Sequence, residues 1–296
     1  MAFEQKPKEV SFQQNWSAYA FLAPALVILF MSLLLPAAAT LVMSFTDVSF
    51  LHPTNWVGFD NYIKLLADEK FGQAVANTIH YTLGVTFPTM ALGMLAAVAL
   101  NRKVPGRIAF RTIFYLPVLT SLIAAAVVWA YLYEPYAGPL NNALAGLGLT
   151  PRPWLQDPSL ALNSLIVMAI WRDFGTAMII YLAGLQDIPN DVYEAARLDG
   201  APPHKIFFRI TVPMLSSVTF YLLIILIVQT FQVFGAIYVM TQGGPLGSTE
   251  TVVYQMYQTA FAHTEFGYGA AMSTVLFLTI LAFSLIGTRI MKRKDG

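Results

Sequence analysis

Apolar residues in this chain run in long blocks rather than in one-sided stripes. No Asp, Glu, Lys or Arg occurs from Val10 to Thr46, Phe71 to Asn101, Thr112 to Tyr133, Ile210 to Thr249 or Phe266 to Thr288. A helix on the surface of a soluble domain carries a charged face. A helix that crosses a bilayer needs about 20 mainly apolar residues. Each block is long enough, and there are no alternating segments of the kind a membrane barrel needs. The pattern predicts an all-α polytopic membrane protein with six transmembrane helices near residues 18–45, 77–100, 108–133, 161–185, 214–240 and 267–290. Pro24, Pro36, Pro88 and Pro117 predict kinks inside spans, because neighbouring helices can re-satisfy the freed carbonyls. With no repeat or low-complexity segment in view, residues 1–296 read as one transmembrane domain.

Composition agrees. The chain is 57% hydrophobic and 11% charged, against about 25% charged for a soluble domain. The formal net charge of +1 gives no reason to expect a nucleic-acid partner. The absence of cysteine excludes disulfides and thiolate metal sites. His80, His204 and His263 have no second ligand at metal spacing, so no metal site is expected. There is no Gly-x-x-x-x-Gly-Lys-Ser/Thr phosphate loop, no Gly-x-Ser-x-Gly elbow and no His-Glu-x-x-His. No catalytic residue and no cofactor are therefore assigned to this chain.

The positions of the basic residues set the orientation. Thirteen of the 17 lie in the N-terminus, the loop between spans two and three, the loop between spans four and five, and the tail. Lys64, Lys70 and Arg152 lie on the other side, and Arg172 falls inside span four. The positive-inside rule places both termini and the loop 186–213 in the cytoplasm. On the external side, Asn55-Trp-Val-Gly-Phe-Asp-Asn-Tyr62 predicts a folded turn with aromatic anchors. The third loop, 134–160, is rich in Pro, Gly and Asn. The fifth, 241–265, begins Thr-Gln-Gly-Gly-Pro245 and holds no Lys or Arg.

The loop 186–213 is the polar exception in an apolar chain. Pro189-Asn190-Asp191 offers a helix start, and Asp191 with Glu194 has capping-box spacing. Ala195, Ala196, Arg197 and Leu198 favour helix. Gly200 suits a C-terminal cap, and Pro202-Pro203 stops the helix. A second helical piece, His204 to about Thr211, leads to Pro213 and span five. Small Ala195 and Ala196 would let another protein's backbone approach, and Glu194 offers it a charge.

This stretch resembles the cytoplasmic coupling motif of binding-protein-dependent ABC importer permeases: Glu-Ala-Ala, three residues, Gly, nine residues, Ile-x-Leu-Pro. Glu194, Ala195, Ala196, Gly200, Ile210 and Pro213 fit the pattern, and Val212 replaces its Leu. Leu198-Asp-Gly-Ala201, Thr241-Gln-Gly-Gly-Pro245, Phe59-Asp-Asn-Tyr62 and Phe110-Arg-Thr-Ile-Phe-Tyr-Leu-Pro117 resemble the carbohydrate-uptake branch, in its maltose/glycerol-phosphate first-permease form. The resemblance covers nearly the whole chain. It implies an ABC type I importer permease fold in a bacterial cytoplasmic (inner) membrane. It also implies a second permease subunit, two ATPase subunits that bind ATP and Mg, and an extracytoplasmic sugar-binding protein. The six matching residues would couple the chain to the ATPase.

Polar groups inside the spans are functional candidates because charge in a bilayer is costly. Arg172 and Asp173 interrupt span four, with Thr176 one turn on. As neighbours they point about 100° apart, which predicts that they do not pair with each other. Gln229 and Gln232 share a face of span five, with Thr230 beside them. Hydroxyl-rich solutes are held by such polar groups with aromatic rings stacked on their apolar faces, and Tyr181, Phe231 and Phe234 are the candidate rings. The second reading is an ion- or proton-coupled secondary sugar transporter, for which Asp173 is the lone candidate carboxylate. A membrane enzyme, the third reading, lacks a reactive constellation.

The orientation has a direct test, because the chain has no native cysteine. A membrane-impermeant maleimide added to intact cells should label Leu246→Cys and leave Lys205→Cys unlabelled until the cells are permeabilised. The reverse pattern would invert the topology.

Overall fold

Every backbone N–H and C=O inside a bilayer must find a partner within the protein, so spans are helices unless something local forbids it. The computed structural model describes residues 12–49, 53–102 and 105–292. Chain order runs α1 (Phe12–Leu29), α2 (Leu35–Met43), α3 (Asp60–Ala67), α4 (Glu69–Asn101), α5 (Arg107–Tyr115), α6 (Leu122–Leu132), α7 (Pro139–Gly146) and α8 (Ala161–Gln186). The second half holds α9 (Asn190–Leu198), α10 (Pro203–Ile206), α11 (Val212–Met214), α12 (Ser216–Phe231), α13 (Gly235–Met240), α14 (Val252–Tyr257) and α15 (Phe266–Lys292).

Among the described residues, four helices are long and apolar enough to cross a membrane: Tyr19–Met43, Glu69–Asn101, Ala161–Gln186 and Phe266–Arg289. The expected third and fifth spans are not single helices. Arg107–Leu119 and Leu122–Leu132 meet at 98°, and Pro203–Met214 and Ser216–Phe231 at 65°. Counting each bent pair as one span restores the expected six. The third span breaks because Pro117 lies in a short 3-10 turn and Thr120 and Ser121 are extended. Pro117 gives more than a kink here. Elsewhere proline is absorbed inside the helix: Pro24 within α1 and Pro88 within α4. Pro36 is preceded by a π turn, Phe30–Leu34, which gives its ring room against the backbone four residues back.

The core is the parallel pair α4 and α8, joined by α12. A methyl added at Gly93 would sit 2.6 Å from the Ala177 Cβ. One added at Gly175 would sit 2.2 Å from the carbonyl oxygen of Phe114. Small residues let these backbones approach closely, as membrane helices require. Met90, Ala97, Leu100, Met178, Leu182, Leu185, Leu222 and Leu226 fill the space between them. The first span packs on α15 and buries almost nothing within this chain.

The loops expected to be external carry defined side-chain contacts among their described residues. Phe45, Trp56, Phe59 and Tyr62 form the expected aromatic anchor, with Phe45 and Trp56 stacked at 5.7 Å. Buried Asn141 knits the third loop by donating to the carbonyls of Pro135 and Arg152 and accepting from Trp154 Nε1 at 2.9 Å. The fifth loop contains α14 and a π turn, Gln258–Ala262, which its length and polarity did not suggest. It is tied to α4, where Asn77 Nδ2 donates to Gly247 O and Glu250 O and Thr78 Oγ1 accepts from Val252 N.

Asp68 joins the start of α4 to α15. Its carboxylate caps α4 through the N–H groups of Lys70 (2.9 Å) and Phe71 (3.3 Å), and it accepts from the Tyr268 hydroxyl at 2.6 Å. Lys64 lies 4.1 Å over the Tyr268 ring and 2.8 Å from Glu265. Burial works to raise the pKa of Asp68, but the Tyr268 hydroxyl and the two N–H groups outweigh it and hold the carboxyl below its ordinary range. Its folded value is thus depressed. The stabilisation is present above the unfolded value and lost as pH falls through the folded one. Asp68→Ala should cost about 1–2 kcal/mol at pH 7. Thermal unfolding of the purified chain in detergent should show the gap from wild type narrowing below pH 4.

Candidate functional site

The elbow, expected above to face the cytoplasm, is built from Asn190 to Met214. Pro189 is the N-cap residue of α9 and offers no side-chain cap. The expected capping box between Asp191 and Glu194 is therefore not formed, since Asp191 lies at the second helical position. It instead places negative charge at the positive end of the helix dipole. The other end is closed as expected. Gly200 has φ +73°, its N–H donates to Arg197 O, and Ala201 N–H donates to Ala196 O, the paired bonds of a Schellman cap. Pro203 then starts α10. A π turn, Phe207–Thr211, precedes Pro213 for the same steric reason as in the first span. The Tyr193 hydroxyl lies 3.4 Å from Thr211 Oγ1, which ties α9 to the returning segment. A single non-helical residue, Leu215, separates α11 from α12.

The six coupling candidates are not equivalent in space. Glu194 and Ala195 are exposed on the outer face of α9. Ala196 is 8% exposed and faces the chain's own bundle, so its small size serves packing here, not the approach of another protein. Gly200 is exposed with nothing within 4 Å of a would-be Cβ, so its role is conformational. Ile210 is half-buried and Pro213 exposed. Sequence reasoning missed Leu198, which is 89% exposed one turn from Glu194 and Ala195. The available signal was a large apolar residue on the charged helix. Beside α9, with exposed Glu194 and Arg197 at its rim, lies a cavity of about 790 Å³ that is also lined by Asn101, Arg102, Tyr193 and Phe207.

Within the membrane segments, Arg172 and Asp173 do pair, contrary to expectation, with Nε 2.7 Å from Oδ1. The long guanidinium arm folds back along α8 to its neighbour. At this depth a desolvated charge gains more from an adjacent partner than from none. Both side chains are about one quarter exposed. No hydrogen bond joins Thr176 to either among the described residues, and Thr176 is half-buried. Gln229 and Gln232 are both exposed at the end of α12. Thr230 turns inward and donates to Leu226 O at 2.7 Å. Tyr181 is fully buried and cannot stack on a solute, whereas Phe231 and Phe234 are half-buried. The structure thus separates two groups: the elbow at 190–214, and polar residues on α8 and at the end of α12.

Up to six crossings, with a charged helix–turn–helix leading into the last helix of the second bent pair, describe a polytopic membrane protein with one polar elbow. Residues 89–295 match the family model described as the binding-protein-dependent transport system inner membrane component, and the chain belongs to that family. It is 36% identical over 268 residues to a probable ABC transporter permease of Pyrococcus horikoshii, covering 90% of this chain and 92% of that one. It is 33% identical to the arabinooligosaccharides transport system permease protein AraP of Bacillus subtilis, covering 96% and 91%. Its fold matches a crystal structure of a bacterial ABC transporter involved in the import of the acidic polysaccharide alginate. That match has a TM-score of 0.84 at 26% identity over 95% of this chain and 96% of that one. The chain is a multi-pass inner-membrane permease with the type I importer fold.

Gly200→Ala should strain a left-handed residue by about 1–2 kcal/mol without a steric clash. Hydrogen exchange of the purified chain should show faster exchange at the last turn of α9, residues 195–201, with α8 unchanged. Equal protection in the variant would remove the cap from the account of the elbow.

Proposed function

We propose that this chain is one of two permease subunits of a bacterial importer for a sugar or related polyol, moved by a separate ATPase through the elbow at 190–214. The observation that carries this reading is mechanical continuity. The elbow joins α12 through one residue, Leu215, and the far end of α12 carries Gln229 in its last turn and Gln232 as its C-cap residue. Displacement of α9 is delivered to the helix that bears the polar face, as a rigid-body tilt.

In this reading ATP and Mg bind only to the two partner ATPase subunits. Closure of the ATPase pair carries α9 with it and opens the path outward. Glu194 makes a charge-assisted contact with a basic residue of the ATPase, and Leu198 fills an apolar hollow beside it. An extracytoplasmic sugar-binding protein docks on the ordered external loops and releases its load. Gln229 and Gln232 hydrogen-bond sugar hydroxyls, while Arg172, Asp173 and Thr176 line or lock the path. The named roles of AraP and of the alginate transporter support a carbohydrate load. A secondary transporter would need an intramembrane carboxylate relay or broken helices in repeated halves; Asp173 is the lone carboxylate candidate, no sequence repeat is in view, and the family match favours the importer.

Tagged wild-type chain isolated in mild detergent should bring a second permease and an ATPase. Glu194→Lys and Gly200→Pro should each cut the recovered ATPase by about tenfold, a loss of roughly 1.4 kcal/mol or more. Uptake by whole cells should persist when the proton gradient is collapsed and ATP is kept. Undiminished recovery in both variants, or uptake that stops with the gradient, would overturn the reading.

A further inference from the structure

We infer that Thr82, Thr86 and Thr89 form a two-state seam on α4, whose hydroxyls are stranded in this conformation and gain hydrogen bonds when the spans rearrange for transport. The inference rests on the importer reading above and adds to it a place where the two conformations differ in energy.

The three side chains follow one another at spacings of four and three, so they share one stripe of α4. All three are buried, Thr86 and Thr89 completely. Their Oγ1 atoms have no hydrogen-bond partner among the described residues. Thr78, one turn earlier on the same stripe, shows the ordinary outcome. Its hydroxyl donates to Ala74 O at 2.7 Å and accepts from Val252 N at 3.0 Å. Thr230 on α12 and Thr274 on α15 likewise donate to the carbonyl four residues back. Pro88 lies inside the row and removes the intrahelical donor for the Gly84 carbonyl.

A buried hydroxyl without a partner has lost its hydrogen bonds to water and gained none, and an apolar group of the same shape in its place is neutral or stabilising. Each of the three oxygens is enclosed by packed protein, which leaves no room for a bridging water. Packing in this conformation therefore gives no reason for hydroxyls where valine has the same shape. A hydroxyl that is bonded in the other conformation does give one.

The row is placed to feel transport. α4 packs against α8, α12 and α14, and α12 is the helix that the elbow meets through Leu215. A tilt of α12 changes what lies beside α4. Gly93 against Ala177 keeps α4 and α8 close, so the change falls on the α12 side of the core. Groups unsatisfied in one state and satisfied in the other bias the equilibrium toward the second. The seam thus reduces the work that closure of the ATPase pair has to supply.

The chain has no native cysteine, so spin labels can be placed at Ile108→Cys and Phe208→Cys, both exposed. The complete importer, with both permeases, ATPase and binding protein, is measured in nanodiscs without nucleotide, with ATP, and with ADP and vanadate. The readout is the population at the label distance that fits this structure, as a ratio to the population at the second distance. Thr86→Val and Thr89→Val, singly and together, should raise that ratio at least threefold in every condition. Thr86→Ser and Thr89→Ser, which keep the hydroxyl, should match wild type. Thr78→Val, which loses bonds made in this conformation, should lower the ratio. An unchanged ratio in the Val variants at 86 and 89, or a shift in the same direction as Thr78→Val, overturns the seam, while ATP-dependent sugar uptake by wild type still supports the importer reading. A single distance in all three conditions overturns the seam as well. Uptake by wild type that does not depend on ATP overturns both.

Discussion

The constraint on which the rest of the structure depends is the demand that no backbone polar group face lipid unpaired. It makes the spans helical, and it gives meaning to the places where they are not. The third span breaks at Leu116–Ser121, where Gly175 of α8 allows close contact with the Phe114 carbonyl. The fifth breaks after Phe231, where Thr251 supplies a hydroxyl to Val233 O. Both breaks are packed against other parts of the chain. The proline-linked π turns before Pro36 and Pro213 answer the same demand on a smaller scale, by shifting hydrogen bonds instead of losing them.

As the proposed link to an ATPase, the elbow answers a different demand. A segment that transmits motion must be stiff along its length and turn sharply at defined points. Stiffness in α9 comes from helix-forming residues and a closed C-terminal cap, and the turns come from Gly200, Pro202 and Leu215. The Tyr193–Thr211 contact braces the two arms. Its charged outer face and exposed Leu198 are suited to another protein. The inner face, with buried Ala196, fits the bundle.

The external surface is tied together more than a set of loops between spans would be. Asp68, Tyr268, Lys64 and Glu265 link the second and sixth spans. Asn77 and Thr78 hold the fifth loop on α4, and Asn141 locks the third. This rigidity keeps the fifth loop beside the break in the fifth span.

The sequence by itself determined the apolar runs, the charged loop and its Gly200 turn, because run length, charge and a left-handed glycine are local properties. The aromatic anchor around Trp56 was legible for the same reason. Tertiary structure alone decided which face each polar residue takes. Arg172 turned to Asp173, its neighbour along α8. Thr230 and Tyr181 went inward while Gln229 and Gln232 stayed outward. Pro117 became a break because α8 packs against it. The rings of Tyr238, Tyr257 and Phe261 meet only because α13 and α14 fold together, a juxtaposition that no spacing along the chain encodes.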